Sequence, residues 1–277
     1  MNDVPWGDLA LNLLAVTVAT AVFVGAIMAT AIAIKNQSII DIFWGPGFVV
    51  AAVVSYLMSA SGDGDDTRRL IVLVLTSVWG LRLGLYIGKR NLGHGEDRRY
   101  TSMMRQWKSG SLIVFLIRKI YGLQGVLIIV VSVPVQFAMY QGRSIGVIGS
   151  IGIALWAIGL FFEAVGDWQL ARFKADPANA GKIMDRGLWG WTRHPNYFGD
   201  SVVWLGLFLL SLGAWWGLAA ILSPIIMTKL LLSYSGKAVL ERGMRRSRGE
   251  AYDVYVATTS GFFPMPPKRA SAPADSA

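Results

Sequence analysis

Cysteine is absent from this chain of 277 residues, and histidine occurs only at His94 and His194. Without cysteine, the chain forms no disulfide bond, offers no thiolate nucleophile and holds no cysteine-ligated metal. Two histidines are too few for a histidine-rich metal centre, so the sequence predicts no metal. The glycine-rich motifs with which soluble enzymes hold nucleotides are missing as well. Any nucleotide would therefore be held by helices and loops of another kind.

Charged residues are scarce too, because they make up 16% of the chain against 54% hydrophobic residues, and the mean hydropathy is +0.48. This composition excludes an ordinary soluble globule and is typical of a multi-pass membrane protein. Seven apolar runs occur, at residues 9–34, 39–60, 70–88, 120–140, 145–166, 198–212 and 216–234. Most of them reach the roughly 20 residues that a helix needs to cross a bilayer.

The sequence therefore predicts an all-α protein with seven transmembrane helices in a single domain over residues 1–266, followed by a polar tail at residues 267–277. The sixth run is short, and three residues separate it from the seventh. This spacing predicts a tight helical hairpin and leaves a count of six spans open. The first run lacks the basic residues that precede the core of a signal peptide, so we expect it to be retained.

Lysine and arginine collect on one predicted side of the membrane. With seven spans and the N-terminus outside, 21 of the 26 cationic residues fall in inner segments, whereas Arg68, Arg69 and Arg143 fall in outer ones. Cytoplasmic segments carry such an excess, so we expect a cytoplasmic C-terminus and a location in the bacterial inner membrane. The net charge of +9 suits either anionic membrane lipids or a phosphorylated cofactor.

The densest group of polar residues opens the sixth run, where residues 193–200 read Arg-His-Pro-Asn-Tyr-Phe-Gly-Asp. Charged groups at a membrane boundary are costly unless they snorkel, pair or bind something. A basic collar that snorkels would account for Arg193 and His194. It does not account for Asn196, Tyr197 and Asp200, so we interpret the segment as part of a functional site.

In the predicted topology, ionisable residues of other spans approach the same leaflet; they are Asp41, Arg82, Glu163, Asp167, Lys229, Lys237 and Glu241. Each of these residues taken singly is expected at a helix end, but the set indicates a common site. Glu163 and Asp167 are four residues apart, as are Lys237 and Glu241, so each pair shares a helix face. The second pair also fits an ordinary intrahelical ion pair.

The loop at residues 90–100 is the third polar element. Gly93 and Gly95 permit tight turns and a close approach of the backbone to a ligand. Glu96 and Asp97 offer hydroxyl acceptors, and the arginines that follow offer forks for phosphate. The composition predicts a loop that encloses a cofactor, with a solvated charged linker as the alternative.

The motif at residues 193–200, the loop Gly95-Glu96-Asp97-Arg98-Arg99-Tyr100 and the closing pair Tyr252 and Tyr255 before Phe262-Phe263-Pro264 resemble the steroid 5α-reductase superfamily, and its bacterial integral-membrane branch especially. The resemblance extends from Asp41 to Pro264. It implies a seven-helix membrane bundle with an NADPH site on the cytoplasmic side. It also implies reduction of the conjugated double bond of a 3-oxo-4-ene steroid, or of a similar lipid enone that enters from the bilayer.

Carried over by position, the resemblance implies contacts with NADPH for a large set of residues: Arg82, Glu96, Asp97, Arg99, Tyr100, Glu163, Asp167, Lys174, Arg193, His194, Asn196, Tyr197, Asp200, Lys237 and Glu241. It implies that Asp41 and Trp79 polarise the ketone. The animal enzymes have glutamate and tyrosine where these two residues fall, and asparagine where Glu163 lies. The assignment of the polarising pair rests on these substituted positions.

The expected chemistry needs a hydrogen-bond donor at the ketone oxygen, because hydride addition to the β-carbon of an enone builds negative charge there. Asp41 donates only when it is protonated, whereas the indole N–H of Trp79 is always a donor. The expected partners are the lipid substrate and membrane lipids. No nucleic acid and no protein partner are predicted.

The strongest alternative is a membrane methyltransferase of the isoprenylcysteine or phospholipid type, which binds S-adenosylmethionine. Those enzymes also carry an Arg-His-Pro-x-Tyr motif and a later glutamate, which Glu241 matches. The loop from Glu96 to Tyr100, together with Asp167 and Asn196, favours the reductase. A small carrier or structural membrane protein is the third reading, and it offers no reason for polar residues to collect in one leaflet.

Overall fold

The computed structural model describes residues 4–91, 93–234 and 236–268. Within these ranges the regular secondary structure is helical, and the only strand-like feature is an isolated bridge between Thr192 and Ser260. The prediction of an all-α protein is thereby confirmed for the described residues. Most of the predicted polar tail, from residue 269 onward, lies outside them.

The α-helices are α1 (Trp6–Ile34), α2 (Trp44–Met58), α3 (Asp66–Asn91), α4 (Arg98–Met104), α5 (Leu112–Leu116), α6 (Gly122–Val131), α7 (Val133–Ala138), α8 (Val147–Ala175), α9 (Leu188–Trp191), α10 (Pro195–Leu210), α11 (Leu222–Lys229), α12 (Lys237–Arg248) and α13 (Glu250–Thr258). A π-helical turn at Ile117–Tyr121 joins α5 to α6, and a second follows α11 at Leu230–Tyr234. Short 3₁₀ helices lie at Gln37–Asp41, Ser59–Ser61, Pro177–Asn179 and Trp215–Ile221.

Among the described residues, six helical stretches are long and apolar enough to cross a membrane: Trp6–Ile34, Trp44–Ser61, Asp66–Asn91, Leu112–Ala138, Val147–Ala175 and Trp215–Ser233. The protein is thus built as a multi-pass membrane protein. The short run predicted at residues 198–212 forms α10, which has 16 residues. At 1.5 Å per residue α10 is about 24 Å long, less than the roughly 30 Å of a hydrocarbon core.

By their contacts, the chain segments form two compact units. The first contains Met1–Ser150 and Leu207–Ser223, and the second contains Ile151–Gly206 and Pro224–Ala277. Each unit has its own polar cluster, and each is described by itself below.

In the first unit, α2 and α3 approach each other at glycines. A Cβ atom on Gly45 would collide with the backbone of Gly80, and one on Gly84 would lie 2.9 Å from the ring of Pro46. Small residues allow this close backbone contact between membrane helices. The contact fixes the start of α2, and with it the 3₁₀ turn that ends at Asp41.

An arginine cluster lies at the other end of α3. Arg68, 2% exposed, donates to the carbonyl oxygens of Arg143 (2.9 Å), Ser144 (2.9 Å) and Leu210 (2.5 Å). Its neighbour Arg69 donates to Ser59 Oγ at 2.9 Å. Since the Arg68 carbonyl partners come from segments distant in sequence, the guanidinium ties those segments to the first turn of α3.

In the second unit, α8 and α10 pack through a row of small residues. A Cβ atom on Gly159 would lie 2.5 Å from the carbonyl oxygen of Gly199, and one on Gly199 would collide with that of Gly159. A Cβ atom on Gly206 would likewise lie 2.5 Å from the carbonyl oxygen of Gly152. Further along, Gly166 lies against the ring of Pro195. This close contact brings the acidic face of α8 beside the first turn of α10, where the Arg-His-Pro-Asn-Tyr motif begins.

Candidate functional site

The motif enters α10 through an extended segment that is tied to the C-terminal part of the chain. The backbone N–H of Arg193 donates to Ser260 O at 2.9 Å, and Thr192 Oγ1 donates to Phe262 O at 2.9 Å. Pro195 is the first residue of α10, a position that requires no backbone N–H. The backbone at Arg193 and His194 is therefore held between the C-terminal segment at Ser260 and Phe262 and the start of α10 at Pro195.

Glu241 on α12 is the centre of the cluster in the second unit. Arg193 Nε donates to Glu241 Oε1 at 3.0 Å, and Nε2 of His194 lies 3.1 Å from the same oxygen. Arg193 also donates through Nη1 to the carbonyl oxygens of Thr259 (2.6 Å) and Val256 (3.2 Å). One carboxylate oxygen thus holds two donors that neighbour each other in the sequence.

The protonation states follow from burial and from these contacts. Burial lowers the pKa of His194 to about 4, although the hydrogen bond and charge of Glu241 oppose this shift. Burial opposes the ionisation of Glu241, but the hydrogen bonds from Arg193 and His194 outweigh it and lower the pKa of Glu241. At neutral pH the contact is therefore a hydrogen bond from a neutral imidazole to a carboxylate. This tautomer, assigned from its acceptor, leaves Nδ1 of His194 as an acceptor.

Asn196 and Tyr197 extend the cluster along α10. Asn196 Nδ2 donates to Asp167 Oδ1 of α8 at 3.1 Å. The ring of Tyr197 stacks on that of His194, with centroids 5.3 Å apart and planes 2° from parallel. Gly236 passes close to the Tyr197 ring, since a Cβ atom there would lie 2.8 Å from Cε2. The structure thus brings together aromatic, amide and carboxylate groups that the sequence predicted as one site.

Two cations of the cluster meet over a glycine. A Cβ atom on Gly261 would lie 2.7 Å from Nζ of Lys237 and 3.1 Å from Nη2 of Arg193. The absence of a side chain at Gly261 therefore lets the ammonium of Lys237 and the guanidinium of Arg193 lie together against its backbone. Two adjacent cations favour an anion, and a planar guanidinium fits phosphate especially well.

The cluster in the first unit has Asp41 at its centre. Tyr100 Oη donates to Asp41 Oδ1 at 2.5 Å, and Arg99 Nη2 donates to Asp41 Oδ2 at 2.8 Å. Arg99 also binds both carboxylate oxygens of Asp97 at 3.1 Å. Both oxygens of Asp41 therefore accept hydrogen bonds, so in this arrangement Asp41 is an acceptor.

Burial and the charge of Asp41 raise the pKa of Tyr100, which keeps its hydroxyl protonated. Burial opposes the ionisation of Asp97, but the hydrogen bonds from Arg99 prevail and lower the pKa of Asp97. Asp97 also caps α4 by accepting the backbone N–H of Arg99 at 2.8 Å. The proton of this cluster thus resides on Tyr100, in a hydrogen bond to Asp41.

The loop before α4 is anchored to the 3₁₀ turn before α2. Glu96 accepts the backbone N–H of Gln37 at 2.8 Å and the hydroxyl of Thr101 at 3.1 Å. Tyr121 donates to Gln37 Oε1 at 2.8 Å. Gly93 and Gly95 both adopt positive φ, at 85° and 75°, which confirms the predicted tight turns. Gln37 and Tyr121 were missed as members of this cluster; the polar residues between the first two apolar runs are a sequence signal for Gln37, whereas Tyr121 lies within the fourth apolar run.

The remaining predicted residues take the following places. In the first unit, Trp79 is fully buried in α3 with its ring 5.5 Å from Phe48 in an edge-to-face contact, and Arg82 lies one turn further along α3. In the second unit, Glu163 is buried on α8, Lys174 lies in the last turn of α8, and Asp200 is buried on α10. The predicted cofactor residues are thus divided between the two units.

Comparison with known proteins gives a family and one distant relative. The sequence profile of a family described as protein of unknown function, DUF1295, matches residues 27–259. An uncharacterised protein of Schizosaccharomyces pombe is 24% identical over 264 residues, which cover 83% of this chain and 73% of the relative. No solved structure matches. The matched range contains both polar clusters.

Proposed function

We propose that this chain, which belongs to the DUF1295 family and so to a group related to steroid 5α-reductase-like proteins, reduces the conjugated double bond of a lipid enone. The proposed substrate is a 3-oxo-4-ene steroid or a similar lipid, and the proposed reductant is NADPH. The observation that carries this proposal is the cluster of Arg193, His194 and Glu241, which the contact between Asn196 and Asp167 extends along α10.

The cluster suits a phosphorylated nucleotide. The two cations that lie together at Gly261, Lys237 and Arg193, suit a phosphate group of NADPH. The carboxylate of Asp167 and the amide of Asn196 suit ribose hydroxyls and a carboxamide, which offer both donors and acceptors. When bound, NADPH supplies the hydride, and the protein's contribution is to orient the reacting groups and exclude water.

The acid chemistry is assigned to the first unit. We propose that Asp41 polarises the ketone with the help of the Trp79 indole N–H, as the family resemblance implies. The hydrogen bond from Tyr100 to Asp41 adds a second candidate donor, because the Tyr100 hydroxyl stays protonated and would turn from Asp41 Oδ1 to the ketone oxygen when substrate binds. A donor held in place before reaction stabilises the negative charge that develops on the ketone oxygen.

The same proposal includes a topology. We infer that α10 is a seventh crossing, that the N-terminus lies outside and that Lys and Arg mark the cytoplasmic side of a bacterial inner membrane. A short helix spans when the bilayer thins locally or flanking polar residues reach the interface. The apolar substrate then enters from the lipid, and NADPH enters from the cytoplasm.

A second candidate function is methyl transfer from S-adenosylmethionine to a lipid. The contact of Glu241 with both Arg193 and His194 favours it, because a glutamate following an Arg-His-Pro-x-Tyr motif fits that pattern as well. S-adenosylmethionine carries no phosphate, however, and so does not need the two adjacent cations, Lys237 and Arg193, at Gly261. We therefore rank the reductase first.

The test is a screen of the purified protein for NADPH oxidation with a panel of lipid enones, and in parallel for methyl transfer from S-adenosylmethionine. We expect NADPH oxidation with at least one enone. On that substrate, Asp41→Leu should lower turnover about a hundredfold, since this is the usual effect of losing a donor to an oxyanion. Asp41→Asn keeps a donor and should retain part of the activity, and NADPH affinity should be unchanged in both variants. Methyl transfer without NADPH oxidation would contradict the proposal.

A further inference from the structure

A second feature of the second unit is a cavity of about 630 Å³ that is not lined by Arg193, His194, Lys237 or Glu241. Its walls come from the end of α8, from the segment that follows α8, from α13 and from the C-terminal segment. The volume is in the range of sites for small organic ligands. The proposed function makes no use of this cavity.

The walls of the cavity are held by hydrogen bonds. Asn179 Nδ2 donates to Phe173 O at 3.1 Å, which folds the segment after α8 back onto the helix. Tyr255 Oη donates to Trp189 O at 2.6 Å, and the backbone N–H of Lys268 donates to Thr258 O at 2.9 Å. These bonds join α13 to its neighbours on two sides and hold the walls of the cavity in place.

The chemistry of the lining is amphipathic. Phe173, Ile183 and Val254 supply apolar surface, whereas Lys182, Arg186 and Lys268 supply positive charge. The one acid in the lining, Asp185, is 4.0 Å from Arg186, and both side chains are largely exposed. An exposed pair at that distance neutralises little charge, so the cavity keeps a positive potential.

The surroundings identify the level of the membrane surface. A neighbouring cavity of about 390 Å³ shares Phe173, Asn179 and Arg186 and is bordered by Trp168, which is 58% exposed. The guanidinium of Arg172 lies 5.7 Å from the centre of the Trp168 ring. Exposed tryptophan beside arginine at the end of an apolar helix is typical of the boundary between membrane and water.

From this juxtaposition we propose that the cavity lined by Lys182, Arg186 and Lys268 binds the phosphate headgroup of an anionic phospholipid. The C-terminal segment that supplies Lys268 to the lining also carries Phe263 and Met265, apolar side chains that are 66% and 54% exposed. A phospholipid carries a phosphate group and apolar chains, and therefore matches both parts. A soluble nucleotide would leave this apolar surface in water.

The experiment titrates the detergent-purified full chain with phosphatidylglycerol or with phosphatidylcholine of the same acyl chains, and counts bound lipids by native mass spectrometry. We expect phosphatidylglycerol to bind more tightly than phosphatidylcholine. Each lysine or arginine near an anionic headgroup contributes roughly fivefold in affinity. The double variant Lys182→Ala with Lys268→Ala should therefore bind phosphatidylglycerol about 25-fold more weakly.

The matched control is Arg242→Ala with Arg246→Ala, which removes two exposed cations from α12 that do not line the cavity. It should bind phosphatidylglycerol within about twofold of the parent. Equal binding of the two lipids, or equal losses in the two double variants, would overturn the proposal. So would competition by NADPH or by inorganic phosphate, which would identify a site for soluble phosphate compounds. These measurements need no enzymatic activity, and a failure of the proposed reductase function leaves them interpretable.

Discussion

Arg68 in the first unit and Arg193 in the second are both buried arginines, but they bind different kinds of acceptor. Arg68 donates to the main-chain carbonyls of Arg143, Ser144 and Leu210. Arg193 donates to two carbonyls and also to the carboxylate of Glu241, which it shares with His194. A guanidinium that satisfies carbonyls joins chain segments and stabilises the fold.

The Arg193 cluster has features that stability alone does not require. Its histidine is kept neutral by burial, its amide at Asn196 meets the carboxylate of Asp167, and Lys237 adds a second cation over Gly261. Buried charge of this kind is costly and contributes little to stability over apolar packing. We propose from this comparison that the acceptors of a buried arginine, more than its burial, separate a structural site from a ligand site.

The largest effect that tests this comparison is expected at Arg68. Arg68→Ala removes a buried charged donor from three carbonyl groups, of which the Leu210 carbonyl is buried, and we expect it to lower the free energy of unfolding by about 3–5 kcal/mol. The measurement is the unfolding midpoint in detergent. NADPH affinity of the folded fraction should stay within about twofold of the parent.

Arg143→Ala is the control for this substitution, because it removes an exposed guanidinium and keeps the carbonyl oxygen that Arg68 binds. It should unfold as the parent does. If Arg68→Ala is as stable as this control, Arg68 does not hold the segments together, and the structural role assigned to it is wrong.

A smaller effect is expected from His194 and acid. Burial lowers the pKa of His194 from an ordinary 6.5 to about 4, so the unfolded chain takes up this proton at a higher pH than the folded chain. Stability is therefore lost as the pH falls from about 6.5 to 4, by about 3 kcal/mol from this residue. Unfolding midpoints measured across this range should fall less steeply for His194→Gln than for the parent.

His94→Gln is the matched control, since His94 is exposed; its midpoints should follow those of the parent. Glu241, Arg193 and Lys237 act on the His194 imidazole in the folded state, and all three remain in His194→Gln. An unchanged slope in His194→Gln would mean that the pKa of His194 is the same in the folded and the unfolded chain, and would contradict the neutral, buried imidazole.

The sequence predicted the parts of the fold and site that leave a local signal. The apolar runs give the six long helices, and the short run gives the short α10. Residues 193–200 are adjacent in sequence, so the sequence alone predicted that they lie together in one site. Glu241 was predicted to approach the same leaflet, but its contact with His194, 47 residues away in the sequence, was not predicted.

Other contacts had no such signal. Arg68 and Arg69 were predicted only as positive charges in outer segments. The hydrogen bonds of Arg68 were not predicted, because its acceptors are main-chain carbonyl groups, which every residue has. Asp41 was predicted as a donor from the needs of the reaction, whereas Arg99 and Tyr100 make it an acceptor in the structure. The cavity at Lys182 and Lys268 depends on how α13 and the segment after α8 fold together, which no motif records.

The measurement that tests the central claim most directly is equilibrium binding of NADPH and of S-adenosylmethionine to the purified protein, to Asn196→Ala and to Asp167→Ala. The account predicts that the parent binds NADPH in preference to S-adenosylmethionine. Each substitution should weaken NADPH binding by about 1–3 kcal/mol, or roughly fivefold to more than a hundredfold, because its polar partner is left unmatched. Both variants should keep the unfolding midpoint of the parent within a few degrees. NADPH binding that is unchanged in both variants, or a preference for S-adenosylmethionine, would contradict the account.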